Sequence, residues 1–256
     1  RYAYVNNAPT RFTDPSGHLS CNHANVAEGD CTDLTLVEHL ANYGVSTVDL
    51  DDNEISALFM AVVAVGGRFS GETGYVSYEI FRMVFGDLTF RKVESYTSNG
   101  VEYYGGMCAS CGGAGEILVA QIAIAGPNRN QWATNLLNRN NFVHELGHRF
   151  TYNWVASIGT DASGNPIPNP SNPINMYDTG TLHTEDGWPD QIPGQELMWR
   201  QHPSRWDSGQ FLQGEVFADM FLGWVFGVYG AGNVGNARRT TMDAIMTAKL
   251  DEFVVP

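Results

Sequence analysis

The sequence predicts an α+β domain in which a small twisted sheet packs on one long helix and the C-terminal half is mainly helical. Three observations predict it. Apolar residues recur at helical spacing in residues 51–65, 75–85, 130–155, 211–228 and 236–253. Two short apolar runs, 88–93 and 117–124, have strand length, and the second is apolar at nearly every position, the pattern of a strand covered on both faces. Finally, 43% of the 256 residues are hydrophobic and only 16% charged, which supplies a sizeable core and excludes a disordered chain.

In chain order, residues 1–19 carry turn signals at Asn6-Asn7, Asp14-Pro15 and Ser16-Gly17 between Tyr2, Tyr4 and Phe12, and predict a short strand and a turn. Asp51, Asp52 and Glu54 open the helix over 51–65 at its positive end, and Gly66-Gly67 is expected to close it. The helix over 75–85 ends at Gly86, and 88–93 reads as a strand. Residues 105–115 read as a glycine-rich turn carrying Cys108 and Cys111, and Gly126-Pro127 stops the strand that follows. A long helix spans about 130–155. Residues 157–210 hold most of the eleven prolines with no sustained period, so a long loop is expected, a type that is usually functional or disordered. Two further helices close the chain, and no internal repeat is found.

Charge and hydropathy exclude several functions. Fourteen Lys and Arg against 28 Asp and Glu give a net charge of −14 without any basic stripe, which argues against nucleic acid as a partner and against a nuclease. The longest wholly apolar run, 57–65, is far short of the roughly twenty residues a bilayer span needs, so no membrane insertion is expected. The chain begins at Arg1 with neither a basic nor an apolar leader and reads as part of a longer precursor.

The chemistry is concentrated in the long helix, in Asn141-Phe142-Val143-His144-Glu145-Leu146-Gly147-His148-Arg149-Phe150. Four residues at 3.6 per turn bring His144 and His148 to within about 40° on one face, so both imidazoles can reach one metal ion. Glu145, turned by about 100°, sits beside that ion, where a carboxylate can take a proton from water. Phe142, Val143, Leu146 and Phe150 place the turn inside the protein, where His and Glu need partners. Gly147 costs a helix about 1 kcal/mol relative to Ala and implies a close approach by another backbone or a substrate. Two helix-surface histidines without a ligand are the plain alternative.

A catalytic zinc takes three protein ligands and a water. The best third candidate is Glu215, in the very apolar segment Gly214-Glu215-Val216-Phe217-Ala218-Asp219-Met220-Phe221, with Asp219 one turn on to accept the outer N–H of a ligand histidine. Of thirteen glutamates, Glu215 alone is followed by Asp at the fourth position. The two acids could instead be solvent-facing residues of a helix first turn. His183 and His202 in the long loop are rival ligands. Tyr177, His183 and His202 are candidate donors to a tetrahedral oxyanion, and nothing in the spacing selects one. Trp188, Trp199 and Trp206 are expected to pin that loop to the body, with a specificity pocket as the alternative.

The H-E-x-x-H at His144, Glu145 and His148 resembles the active-site helix of zincin metallopeptidases. In the metzincin branch Gly and His would follow at positions held here by Thr151 and Trp154, so that branch is excluded. The Glu215-x-x-x-Asp219 pattern is similar to the third-ligand helix of gluzincins, the thermolysin-like branch. This resemblance implies a zincin-like fold and a zinc (Zn2+) metallopeptidase over residues 20–256. It also implies that an extended protein or peptide substrate pairs with an edge strand beside the active-site helix, a role expected here of 118–124.

The opening Tyr4-Val5-Asn6-Asn7-Ala8-Pro9 and Asp14-Pro15-Ser16-Gly17 resembles the closing segment of Rhs/YD-repeat cores. That implies residues 1–19 end such a core, that the remainder is a toxin or effector domain secreted or displayed by a bacterium, and that an immunity protein can accompany it. Some such cores cut themselves near the position of Leu19. In that setting Cys21, Cys31, Cys108 and Cys111 read first as disulfides, with a four-cysteine zinc site as the alternative; the strand-then-helix setting of a thioredoxin-like motif is lacking. His18, His23 and His39 read as surface or capping residues. The rival class is a non-catalytic adhesion or packing module with a structural metal site.

Overall fold

The computed structural model describes residues 34–98, 100–109, 111–112, 115–121, 131–154, 157–160, 166–168 and 213–254. The Rhs-like segment, Cys21, Cys31, His18, His23, residues 122–124, Tyr177, His183, His202 and the three loop tryptophans lie outside the described residues. Six helices and three small sheets make up what is described, a mixture of α and β as the sequence predicts.

Helix α1 (Leu36–Asn42) opens on Thr35, whose hydroxyl accepts the Glu38 N–H while the Glu38 carboxylate accepts the Thr35 N–H. Strand β1 (Val45–Val48) follows, and then α2 (Asp52–Thr73), capped in the same reciprocal way by Asp51 and Glu54. The expected stop at Gly66-Gly67 is overturned. A Cβ on Gly66 would lie 2.8 Å from both the Ser77 carbonyl oxygen and the Tyr43 ring, so this glycine serves close packing inside the helix. The stop is Gly74, in the left-handed region at φ 78°. At 22 residues α2 is long and apolar enough to cross a membrane by length and composition alone. In this fold Ala57, Leu58, Ala61, Val62, Val65 and Phe69 are fully buried in the core.

Helix α3 (Ser77–Phe85) ends at Gly86 as expected. Strand β2 (Leu88–Lys92) leads to a hairpin of β3 (Tyr96–Ser98) and β4 (Val101–Tyr103), then to β5 (Gly106–Cys108) and β6 (Glu116–Gln121). The main sheet has the order β1-β2-β6-β5. The first three strands are parallel, with Val45 opposite Leu88 and Phe90 opposite Ile117; β5 runs antiparallel, with Cys108 opposite Leu118. Two expectations change here. Part of the glycine-rich turn is a strand, and β6 is interior, so among the described residues the sheet edge beside the long helix is β5. Glycines hide strand propensity, and Gly106 (φ 82°) adjoins a register shift in the pairing of β5 with β6.

The long helix is α4 (Gln131–Trp154), followed by a small antiparallel pair, β7 (Ser157–Thr160) and β8 (Pro166–Pro168), inside the stretch read as loop. Helices α5 (Gln213–Phe226) and α6 (Gly232–Leu250) complete the described chain. An aromatic cluster joins these layers. Phe150 of α4 lies 5.7 Å from Phe221 of α5, 6.3 Å from Phe69 of α2 and 6.5 Å from Phe85 of α3, in the offset and edge-on arrangements aromatic rings prefer. Phe90 of β2 meets Phe142 of α4 edge-on at 5.6 Å, which seats α4 on the sheet. Cys108 and Cys111 form a disulfide, so these two are not half of a cysteine zinc site.

Candidate metal centre

Helices α4 and α5 come together at Gly147. A Cβ there would stand 3.0 Å from the Ala218 Cα and 3.1 Å from the Phe221 Cβ, so a larger residue would force α5 to give by a few tenths of an ångström. The close approach predicted from sequence is therefore made by the backbone of α5. One consequence is that Glu215 and Asp219, one turn apart on α5, face His144 and His148, one turn apart on α4.

The His144 Nδ1–H donates to Asp219 Oδ1 at 2.7 Å, with both residues buried. This bond assigns the proton to Nδ1 and turns the Nε2 lone pair toward the second histidine. His144 Nε2 lies 3.1 Å from His148 Nε2 and 3.1 Å from Glu215 Oε2, and His148 Nε2 lies 3.4 Å from the same oxygen. Three basic atoms thus form a triangle with edges of 3.1–3.4 Å. Tetrahedral ligands at about 2.0–2.1 Å from zinc would be about 3.3 Å apart. The donor set and its spacing fit such an ion.

His144, Glu145 and His148 form a group whose ligand atoms all lie within 4.8 Å of one another and could hold a metal ion. Glu215 makes the tighter triangle with the histidines, while Glu145 is engaged elsewhere: its Oε2 accepts the Ala109 N–H at 2.9 Å. Glu145 therefore stands beside the imidazoles, as its 100° offset predicts. Neither Glu215 nor Asp219 is a solvent-facing acid; Asp219 is fully buried and the Glu215 side chain 15% exposed, against 23% for His148 and 1% for His144. The cluster runs from a buried end at Asp219 to a more open end at His148.

The electrostatics follow from that burial. Burial alone would push the His144 imidazole down, yet the charge and hydrogen bond of Asp219, joined by Glu215, hold it well above its ordinary value. Burial would likewise raise Glu215, but hydrogen bonds and positive charge from both histidines hold its carboxyl far below the carboxylate range. Glu145 goes the other way: burial raises its carboxyl, only partly opposed by the histidines. A cation held between these atoms would compete with a proton for one electron-rich point, and a carboxylate with raised basicity stands next to it.

The structure brings together His144, Glu145, His148, Glu215 and Asp219. Sequence reasoning missed the Ala109 N–H, because a backbone donor has no residue signature; the Cys108-x-x-Cys111 spacing that frames it was the available signal. No protein-family model, curated protein or solved structure matches the chain.

Proposed function

We propose that this chain is a zinc metallopeptidase of zincin-like fold and gluzincin type, hydrolysing a peptide bond in a protein or peptide substrate. The observation that carries the reading is the triangle of His144 Nε2, His148 Nε2 and Glu215 Oε2, with edges of 3.1, 3.1 and 3.4 Å, backed by Asp219 on the outer nitrogen of His144. A zinc ion bound there supplies Lewis acidity and makes water a nucleophile near neutral pH. His144, His148 and Glu215 hold it. Asp219 fixes the tautomer and orientation of His144. Glu145 takes a proton from the attacking water and passes it to the leaving amine; its raised basicity suits that role.

An extended substrate would add to β5, the sheet edge beside α4, and would meet Tyr96, whose hydroxyl is shared between the Gly105 and Met107 carbonyl oxygens. The resemblance of residues 4–17 to an Rhs core end extends the proposal to a bacterial secreted or surface effector. Its partners would be a substrate protein and an immunity protein.

Metal analysis of the purified protein together with cleavage of an unstructured protein such as casein tests the reading. The native chain should hold one zinc and cleave. Glu145→Gln should keep the zinc and lose at least about 100-fold in rate, because the amide keeps the shape and cannot accept a proton. A native protein that holds zinc and cleaves nothing would point to the structural or adhesion module instead. Loss of zinc from the Gln variant would make Glu145 a ligand.

A further inference from the structure

We propose that Cys108 and Cys111 are positioning residues for Glu145, acting through the Ala109 N–H that their disulfide holds against the Glu145 carboxylate. The inference rests on the metallopeptidase reading for its kinetic consequence, but not for its geometry.

Ala109 follows the last residue of β5 and sits inside the four-residue loop closed by the Cys108–Cys111 bond. Its N–H donates to Glu145 Oε2 at 2.9 Å, a bond buried on both sides, with Ala109 5% and Glu145 6% exposed. The carboxylate cannot turn to solvent for a substitute donor. Losing this bond would leave a buried acid without the only donor seen for it among the described residues.

The backbone that supplies the donor is buried at the end of β5, where strand pairing and the Tyr96 hydroxyl hold it together with the disulfide. Strand β5 is three residues long, lies at the sheet edge, and carries a register shift between Gly106 and Met107. Pairing of Cys108 with Leu118 anchors one end of the loop, and the disulfide ties the other end back to that anchored residue. Ala109 lies between the two constraints. With Oε2 committed to a fixed N–H, the orientation of the carboxylate beside His144 and His148 is set by the sheet edge as well as by its own helix.

The bond is local and no metal ligand lies in the loop, so its effect should fall on turnover and leave zinc in place. In the full chain, Cys108→Ser/Cys111→Ser should retain zinc at the native stoichiometry. Its kcat should fall between about 10- and 100-fold, the scale of a displaced catalytic group. An independent readout is the Ala109 amide proton resonance. A proton bonded to a buried carboxylate lies downfield, and both the serine pair and Glu145→Gln should move it upfield. An Ala109 resonance unmoved in both variants, or native kcat in the serine pair, overturns the proposal. If the serine pair does not fold, replacing Ala109 by lactate removes the N–H alone and leaves the disulfide intact; the same loss of kcat with zinc retained is expected, and native kcat overturns the proposal. If the native protein cleaves no substrate, the metallopeptidase reading fails while the amide resonance still decides the positioning claim.

Discussion

His144 on α4 and Asp219 on α5, 75 residues apart in sequence, are joined by a buried 2.7 Å hydrogen bond that orients the imidazole toward His148 and Glu215. A fully buried carboxylate is tolerated only with such a partner. The bond gives Asp219 Oδ1 a partner inside an apolar helix and, in the proposed metal site, would present the His144 Nε2 to the ion.

A ranking of metal affinities follows. His144→Ala and Glu215→Ala each remove a corner of the triangle and should lose most zinc. Asp219→Asn leaves the triangle intact and should weaken binding about 10- to 100-fold, as outer partners of ligand histidines do. His183→Ala and His202→Ala should leave zinc content unchanged. Zinc titration of the five variants decides it: zinc kept by Glu215→Ala but lost from a loop-histidine variant would sink the gluzincin assignment and spare the two-histidine site.

Gly147→Ala sets two effects against each other. Alanine gains about 1 kcal/mol of helix propensity over glycine. Its Cβ would sit 3.0 Å from the Ala218 Cα, a backbone atom that moves only if α5 moves. Overpacking of this kind costs about 1–3 kcal/mol. The net cost is up to about 2 kcal/mol, so the melting temperature should not rise and should fall by up to several degrees at about 2–4 °C per kcal/mol. Because α5 carries Glu215, zinc affinity should drop as well. A calorimetric scan with a raised melting temperature would show that the two helices part at less cost than the propensity gained.

What was legible in the sequence is what a period can encode. The i, i+4 spacing of His144 and His148 and of Glu215 and Asp219, each on an apolar helix, predicts four side chains on two facing surfaces, and these meet as expected. Short elements were not legible. Helix α1 and strand β1 are seven and four residues long, below the length at which a pattern separates from chance. Strand β5 was hidden by its glycines, and the interior place of β6 with it. Gly66 was misread for a related reason: glycine marks both helix ends and close contacts, and only the presence of Tyr43 and Ser77 beside it tells which.

The pH dependence of stability should separate the metal-free from the loaded protein. In the metal-free chain the folded state raises His144 above its ordinary 6.5, so the stabilisation from its ion pairs is complete below 6.5 and is lost as pH rises through the raised value. Glu145, raised above 4.5 by burial, acts with the same sign, since ionising it in the folded protein becomes harder. Glu215 is lowered from 4.5, so its contribution is present above 4.5 and is lost only toward strong acid. Metal-free stability should therefore decline from about pH 6.5 upward. Zinc reverses the slope, because the cation needs the deprotonated Nε2 of His144 and gains as protons leave. Melting temperatures of chelator-treated and zinc-loaded protein between pH 5.5 and 8.5 should diverge as pH rises. A gap that stays constant or narrows would mean that proton and metal do not share this site, and the triangle would be an ion pair alone.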